Sequence, residues 1–362
     1  MIARRTTVLT FDAAAFKTDS KGNQQGRSLG SRFQTHDKKW VDSTGAFLVG
    51  ELERLDMTLH EPLAAVSWGR DIDLREDVTI ADEVSSFTIS TYGSPGGMGT
   101  GNSVGNGKAW IGKATDQIQG VSVDIAKITN PLTPWAVELK YTVLELESAA
   151  KIGRPIDAQK YAAMQLKYQM DVDEQVYFGD SAAGFKGLIN NTSVTHTNLP
   201  VGASGQTFWA DKSPDEILAD VNFMLTSVWA ASAWAVVPSN LLIPPEQFGQ
   251  ISTQKVSQAG NISVLKYIDE NNLLTTTGKG KLDIKPLKWC IGAAAGGTIG
   301  TENGLDRAVV YTKDKDRVRF PMTMLQGTPI QYDSIYHKRT YFGRLGVVEV
   351  VYPQTLGYFD LL

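Results

Sequence analysis

Residues 155–190 read PIDAQKYAAMQLKYQMDVDEQVYFGDSAAGFKGLIN, and the way this stretch runs and then stops decides the fold. Pro155 suits the first turn of a helix, where a missing N–H costs nothing, and no Gly or Pro interrupts the chain until Gly179 supplies a stop. Tyr161, Met164, Tyr168, Val172 and Val176 recur at helical spacing, while Lys160, Lys167, Asp171 and Asp173 supply a polar side. The spacing predicts a helix over 155–178. At about 1.5 Å per residue it is roughly 35 Å long, more than the average helix of a globular domain. By periodicity alone it is an ordinary amphipathic core helix.

Working outward gives that helix its context. Just upstream, residues 135–143 alternate as a strand and lead through a short helical run, 144–152, into the long helix. Further upstream two alternating runs, 84–92 with Phe87 and Ile89 on one face and 121–128, flank a segment with eight glycines between Gly93 and Gly112. This predicts a long hairpin with a tip that bends at little cost. Residues 1–45 are polar and lack either periodicity, so they read as an extended arm, and a helical pattern resumes at Ala46 until Glu61-Pro62 breaks it.

Downstream, a polar loop follows Asn190, and Ser213-Pro214-Asp215-Glu216 announces a helix by a capping box with Pro at its first position. Ile217, Val221, Leu225 and Val228 make that helix amphipathic, 241–243 reads as a buried strand, and Pro244-Pro245-Glu246 starts another helix. Strands are expected around 282–287, 308–312, 318–320, 330–336 and 346–351. The fold class is α+β, with two or three core-bearing units in 362 residues.

Composition narrows the function. Hydrophobic content of 42% with 20% charged residues is that of a folded soluble protein, and a formal net charge of −4 with dispersed cations disfavours tight direct binding of nucleic acid. Cys290, in an apolar run, reads as a small buried hydrophobe. Arg4 and Arg5 precede an apolar run that Asp12 ends far short of a signal-peptide core, and no segment approaches membrane-spanning length, so assembly in the cytoplasm is expected.

Catalytic patterns fail one by one. A phosphate loop needs Gly-Lys-Ser/Thr, but Gly107-Lys108 precedes Ala109, and the paired glycines at 99–107 lack the third Gly of a dinucleotide fingerprint. Gly101-Asn102-Ser103-Val104-Gly105 matches a nucleophile elbow, but neither a buried strand before it nor a helix after it accompanies Ser103, leaving a serine hydrolase as a remote alternative. His36, His60, His196 and His337 lie far apart, and neither Asp71-x-Asp73 nor Asp171-x-Asp173 continues as a calcium loop; both pairs read as solvated faces or salt bridges between subunits. No catalytic residue, cofactor or metal is expected. Trp110, in a loop without a core of its own, fits a protein contact better.

Several motifs, in order, carry a resemblance. They are Phe47-Leu48-Val49-Gly50-Glu51-Leu52-Glu53, Glu61-Pro62, Gly153-Arg154-Pro155-Ile156-Asp157-Ala158, and Val176-Tyr177-Phe178-Gly179-Asp180 followed by Gly187-Leu188-Ile189-Asn190. Arg344-Leu345-Gly346-Val347-Val348-Glu349-Val350 and Tyr352-Pro353 follow near the C-terminus. Together they resemble the major capsid proteins of tailed phages with the Hong Kong 97-type fold, to which encapsulins are related.

The resemblance implies an N-terminal arm (1–45), a lead-in to the P domain (46–82) and an E-loop hairpin (83–130). It further implies a P domain with a spine helix (131–190, helix 155–178), an α/β A domain (191–315), P-domain return strands (316–349) and a C-terminal A-domain segment (350–362). Such a subunit assembles with itself through hexamers and pentamers into an icosahedral head enclosing double-stranded DNA without reading its sequence. Portal, scaffolding and decoration proteins would be its partners, and the virion its location. An encapsulin-like nanocompartment is the alternative, disfavoured by the long polar arm. Gly96, Gly97, Trp110, Asp171, Asp173 and Glu174 are the candidate assembly contacts.

Overall fold

The computed structural model describes residues 64–93, 122–152, 156–257, 262–301, 305–360 and 362, together with two short strands nearer the N-terminus. Those strands, Lys17–Thr18 (β1) and Gln24–Gln25 (β2), pair antiparallel within the first of two compact units, Met1–Leu63. All other described elements belong to the second, Ala64–Leu362.

That unit opens with a one-turn helix, Trp68–Asp71 (α1), and a short strand, Asp73–Arg75 (β3). A hairpin follows, in which Val84–Gly93 (β4) and Ser122–Pro131 (β5) pair antiparallel over their whole length, from Val84 opposite Pro131 to Gly93 opposite Ser122. Thr133–Thr142 (β6) leads into Val143–Ile152 (α2) and then into a 22-residue helix, Ile156–Tyr177 (α3). Met164, Tyr168, Val172 and Val176 are its buried stripe, as their spacing requires, while Tyr161 stays exposed.

Beyond His196–Asn198 (β7), the helix Pro214–Ala231 (α4) begins with the capping box its sequence announces: Ser213 accepts from Glu216 N and Glu216 accepts from Ser213 N. Asn240–Ile243 (β8), Pro245–Thr253 (α5), Val264–Asn271 (α6), Leu273–Thr276 (α7), Asp283–Pro286 (β9) and Arg307–Tyr311 (β10) follow. The chain closes through Val318–Pro321 (β11), Gln326–Gly327 (β12), Gln331–Asp333 (β13), Tyr336–Leu345 (β14), Glu349–Val350 (β15) and Leu356–Asp360 (β16).

A five-stranded sheet, ordered β7-β16-β10-β8-β9, divides two cores. Its central strands β8, β10 and β16 are buried throughout, because they have protein on both faces. Alternation sorts their side chains: Ala308, Val310, Leu241, Ile243 and Phe359 face the core built with α4, α5 and α6, whereas Val309, Tyr311, Leu242, Leu356 and Tyr358 face the core shared with the end of α3.

Two expectations about the C-terminal strands need correction. The run 330–336 is not one strand: Gln331–Asp333 ends at a turn where Ser334 takes φ 57°, and Tyr336 already begins β14, while 346–351 is paired only over Glu349–Val350. The long strand there is β14, which pairs with β6 from Tyr336 opposite Thr142 to Leu345 opposite Thr133. Lys338, Arg339 and Arg344 break its apolar alternation, and most of the strand is only half-buried, so the period-two signal is weak.

Candidate assembly surface and the scaffold behind it

The C-terminal end of α3 is closed by the residues that follow it. Gly179 takes φ +79°, a left-handed turn in which a Cβ would also lie 2.5 Å from Phe185 O. The chain then folds back, so that Leu188 N donates to Val176 O (2.8 Å), Ile189 N to Tyr177 O (3.1 Å) and Asn190 Nδ2 to Phe178 O (2.9 Å). These are carbonyls a helix end leaves without partners. Gly187 lies so close beneath that a Cβ there would be 2.2 Å from Tyr177 O, and its N–H donates to Asn190 Oδ1 (2.7 Å). Gly-Leu-Ile-Asn is thus a strap, and it carries Leu188 and Ile189 into the core beside β10 and β16.

Asp173 lies on the inner side of α3 and is fully buried. Its Oδ1 accepts from Ser67 N (2.8 Å) and Trp68 N (3.1 Å), and its Oδ2 accepts from Trp289 Nε1 (2.7 Å) with Lys288 Nζ at 3.3 Å. The expectation that Asp173 meets a neighbouring subunit is therefore corrected: its carboxylate joins α3 to α1 and to 288–289 within one chain. Asp71 needs the same correction. It is buried, accepts from Arg70 Nε (2.7 Å), Arg70 Nη2 (2.8 Å) and Tyr177 Oη (2.6 Å), and so ties α1 to the end of α3. Burial first, then the Asp71 carboxylate, push the Tyr177 phenol well above its ordinary range, which keeps it a donor.

Asp171 and Glu174 point the other way. With Trp135, Phe178, Asp180 and Phe185 they line an open groove of about 370 Å³ between the start of β6 and the 179–185 turn. Glu174 and Asp180 are exposed, whereas half-buried Asp171 accepts from Trp135 Nε1 (2.9 Å) and pairs with Lys167 one helical turn away. The groove carries three carboxylates between aromatic walls, which suits a cationic side chain. Gly96, Gly97, Trp110 and Ser103 lie outside the described residues.

A further buried carboxylate went unread in the sequence. Glu349, in β15, accepts from Arg319 Nε (2.7 Å) of β11, lies 3.3 Å from Arg75 Nη1 of β3, and accepts from Ser85 Oγ at the root of β4. Arg75 also donates to Ser86 O (3.1 Å), so the three-stranded sheet β15-β11-β3 grips the base of the hairpin. The signal available was an acidic residue inside the apolar run 347–351, which needs a buried cationic partner. Among the described residues no group of three His, Cys, Asp or Glu is placed to hold a metal, and no described helix is long and apolar enough to cross a membrane. Cys290 is buried, and burial raises its thiol pKa.

A strapped long helix lying along a ten-residue strand pair, a hairpin gripped at its base and a buried five-stranded sheet together form the Hong Kong 97-type fold of capsid subunits. The capsid of Myoviridae Phage XM1 superposes with a TM-score of 0.65 at 14% identity, covering 86% of this chain and 98% of that one. The capsid of the Cyanophage P-SCSP1u gives 0.50 at 11%, covering 85% and 92%, and a chain from Mycobacterium phage Adephagia 0.52 at 11%, covering 88% and 97%. Identities this low speak for the fold alone. The family follows from the sequence itself: the profile of the major capsid proteins matches residues 107–362, and the chain belongs to that family. It is a structural protein of the virion that assembles with copies of itself. No curated protein matches it.

Proposed function

We propose that this chain forms rings of six and of five that close into an icosahedral head around double-stranded DNA. The observation that carries the reading is the β4–β5 hairpin. It is ten residue pairs long, its two strands pair only with each other among the described residues, and Val123 and Ile125 are 54% and 66% exposed. A two-stranded hairpin is marginal by itself in water, and the exposed Val123 and Ile125 leave part of this one with apolar surface that a neighbour can cover. A neighbouring copy supplies that cover, and the hairpin with residues 94–121 acts as the E-loop of 83–130.

The remaining divisions have similar support. The long helix on the β6–β14 pair is the spine of the P domain, 131–190 with the return strands 316–349. The buried sheet with α4, α5 and α6 is the A domain, 191–315, and the pairing of β16 with β10 supports assigning 350–362 to it. Residues 1–45 act as the arm, and 46–82 lead into the P domain. Asp171 and Glu174 receive a cationic side chain of a neighbour in the groove described above, while Gly96, Gly97 and Trp110 act at the hairpin tip.

Net charge of −4 fits a container that encloses DNA without gripping its bases. Portal, scaffolding and decoration proteins complete the head, which assembles in the host cytoplasm. Electron microscopy of the purified protein tests the proposal: closed particles with five- and six-fold rings are expected, and a chain that stays monomeric at high concentration refutes it.

A further inference from the structure

The turn after α4 is built against its own backbone preference. Ala233 and Trp234 stand at φ 53° and 63°, the left-handed region that non-glycine residues avoid. Local bonds hold them there: Ser232 Oγ donates to Trp229 O (2.7 Å) and accepts from Val236 N (3.2 Å), and Trp229 Nε1 donates to Trp234 O (2.9 Å). The Trp234 ring meets Trp229 edge-on at 4.8 Å, with Lys279 Nζ 4.4 Å from the Trp229 centroid. Even so, Trp234 remains 53% exposed. The turn thus fixes a large aromatic side chain at the surface without giving it a core.

The same turn walls a groove of about 510 Å³. Ala233 and Ala235 line it, whereas Trp234 between them packs its ring against Trp229 and is not one of the groove's walls. The opposite walls are Ile89 of β4, Arg317, Val351, Tyr352 and Pro353, and apolar surface predominates. Tyr352 is half exposed, and Arg317 is held in place by Asp314, whose Oδ2 lies 2.7 Å from Nη1. Aliphatic walls, an aromatic ring and a fixed guanidinium are what an indole packs against.

We propose that Trp234 of one copy seats in this groove of the next copy around a ring. A head-to-tail ring needs two different surfaces on each subunit, complementary to one another. Here one turn carries an exposed indole and also walls a groove whose other sides are aliphatic, aromatic and cationic, so each copy offers two different surfaces. Because Ile89 forms one wall, the socket is complete only when the hairpin lies in its described position, which couples hairpin placement to ring closure. The inference rests on the shell reading of the preceding section.

Photo-crosslinking decides it. With Trp234 replaced by p-benzoylphenylalanine, irradiated particles are expected to give crosslinks from position 234 to peptides containing 351–353 or Ile89 of a second copy, absent from unassembled subunits. Trp234→Ala and Tyr352→Ala should each raise the concentration at which particles first appear by about ten-fold or more, the effect of losing a buried aromatic anchor at an interface, with thermal unfolding of the free subunit unchanged. Crosslinks mapping elsewhere, or only within one copy, overturn the proposal, as does Trp234→Ala assembling at the wild-type concentration. Failure of the wild-type protein to form particles at all would instead overturn the shell reading itself.

Discussion

Asp173 shows what one residue decides. Its carboxylate accepts from two backbone N–H groups and an indole, all brought to it from parts of the chain more than a hundred residues away. Asp173→Ala leaves those half-buried donors without their acceptor, and a loss of about 2 kcal/mol is expected from the urea midpoint of the unassembled subunit. Asp173→Asn, which keeps one acceptor oxygen, should lose less. Grouping Asp171 and Asp173 on one polar side overlooks helix geometry: two residues apart they stand about 200° apart, and Asp173 falls with Val172, Val176 and Tyr177 on the buried side, whereas the distant segment that supplies its donors has no signal in the spacing. Glu216 behaves differently, because its partners are local and legible. Bonds from Ala203 N, then Ser213, hold its carboxyl down at about 2. A folded value below the unfolded one contributes stability that is present above roughly pH 4.3 and is lost as pH falls toward 2. Glu216→Gln should therefore flatten acid unfolding in that window, as read by circular dichroism.

At the scale of elements, the strap after α3 is the most local piece of architecture. The helix, its glycine stop and the Gly-Leu-Ile-Asn run were all readable in order, yet periodicity ended at Tyr177 and gave no reason for the last four residues. The reason is close approach. Gly187→Ala pushes a methyl against Tyr177 O, which is backbone and cannot swing aside, so a cost of a few kcal/mol and weakened protection of the 187–190 amides in hydrogen exchange are expected. The hairpin gives the opposite case. Its alternation was plain in the sequence, whereas its anchorage by Glu349, Arg75 and Ser85 joins positions up to 274 residues apart and was not. Glycine density at the tip implies bending when one chain serves in rings of both sizes, so proline or alanine at Gly96 and Gly97 should impair assembly; unchanged particle yield and shape would remove that role.

For the whole molecule, the order of parts was more informative than any one part. No catalytic or metal motif survived its context, and a hairpin, a long helix and a separate α/β unit in that order pointed to a shell. The strand β14 escaped because half-buried, cation-rich strands lack a clean period, and the domain limits rest on that ordering rather than on a compositional break. Interfaces were the least legible level, since a residue exposed in one chain and covered in the next has no signature in spacing. Trp234 is one such residue: neither its backbone conformation nor its groove can be read from the letters around it.

The five-stranded sheet has one more consequence, and it concerns timing. β16 lies inside that sheet, between β7 and β10, and is laid down about 160 residues after β7 and 45 after β10. During synthesis the sheet therefore waits with β10 open along one side until 356–360 emerge, and only then can Arg307 close its pair with Asp360 (2.6 Å). A polypeptide broken off anywhere before that point lacks an interior strand and cannot finish either core. Truncation at residue 355 should leave the protein insoluble, as a soluble-fraction assay will show. Incomplete translation products are thereby kept from competing for places among finished subunits, with no separate inspection step.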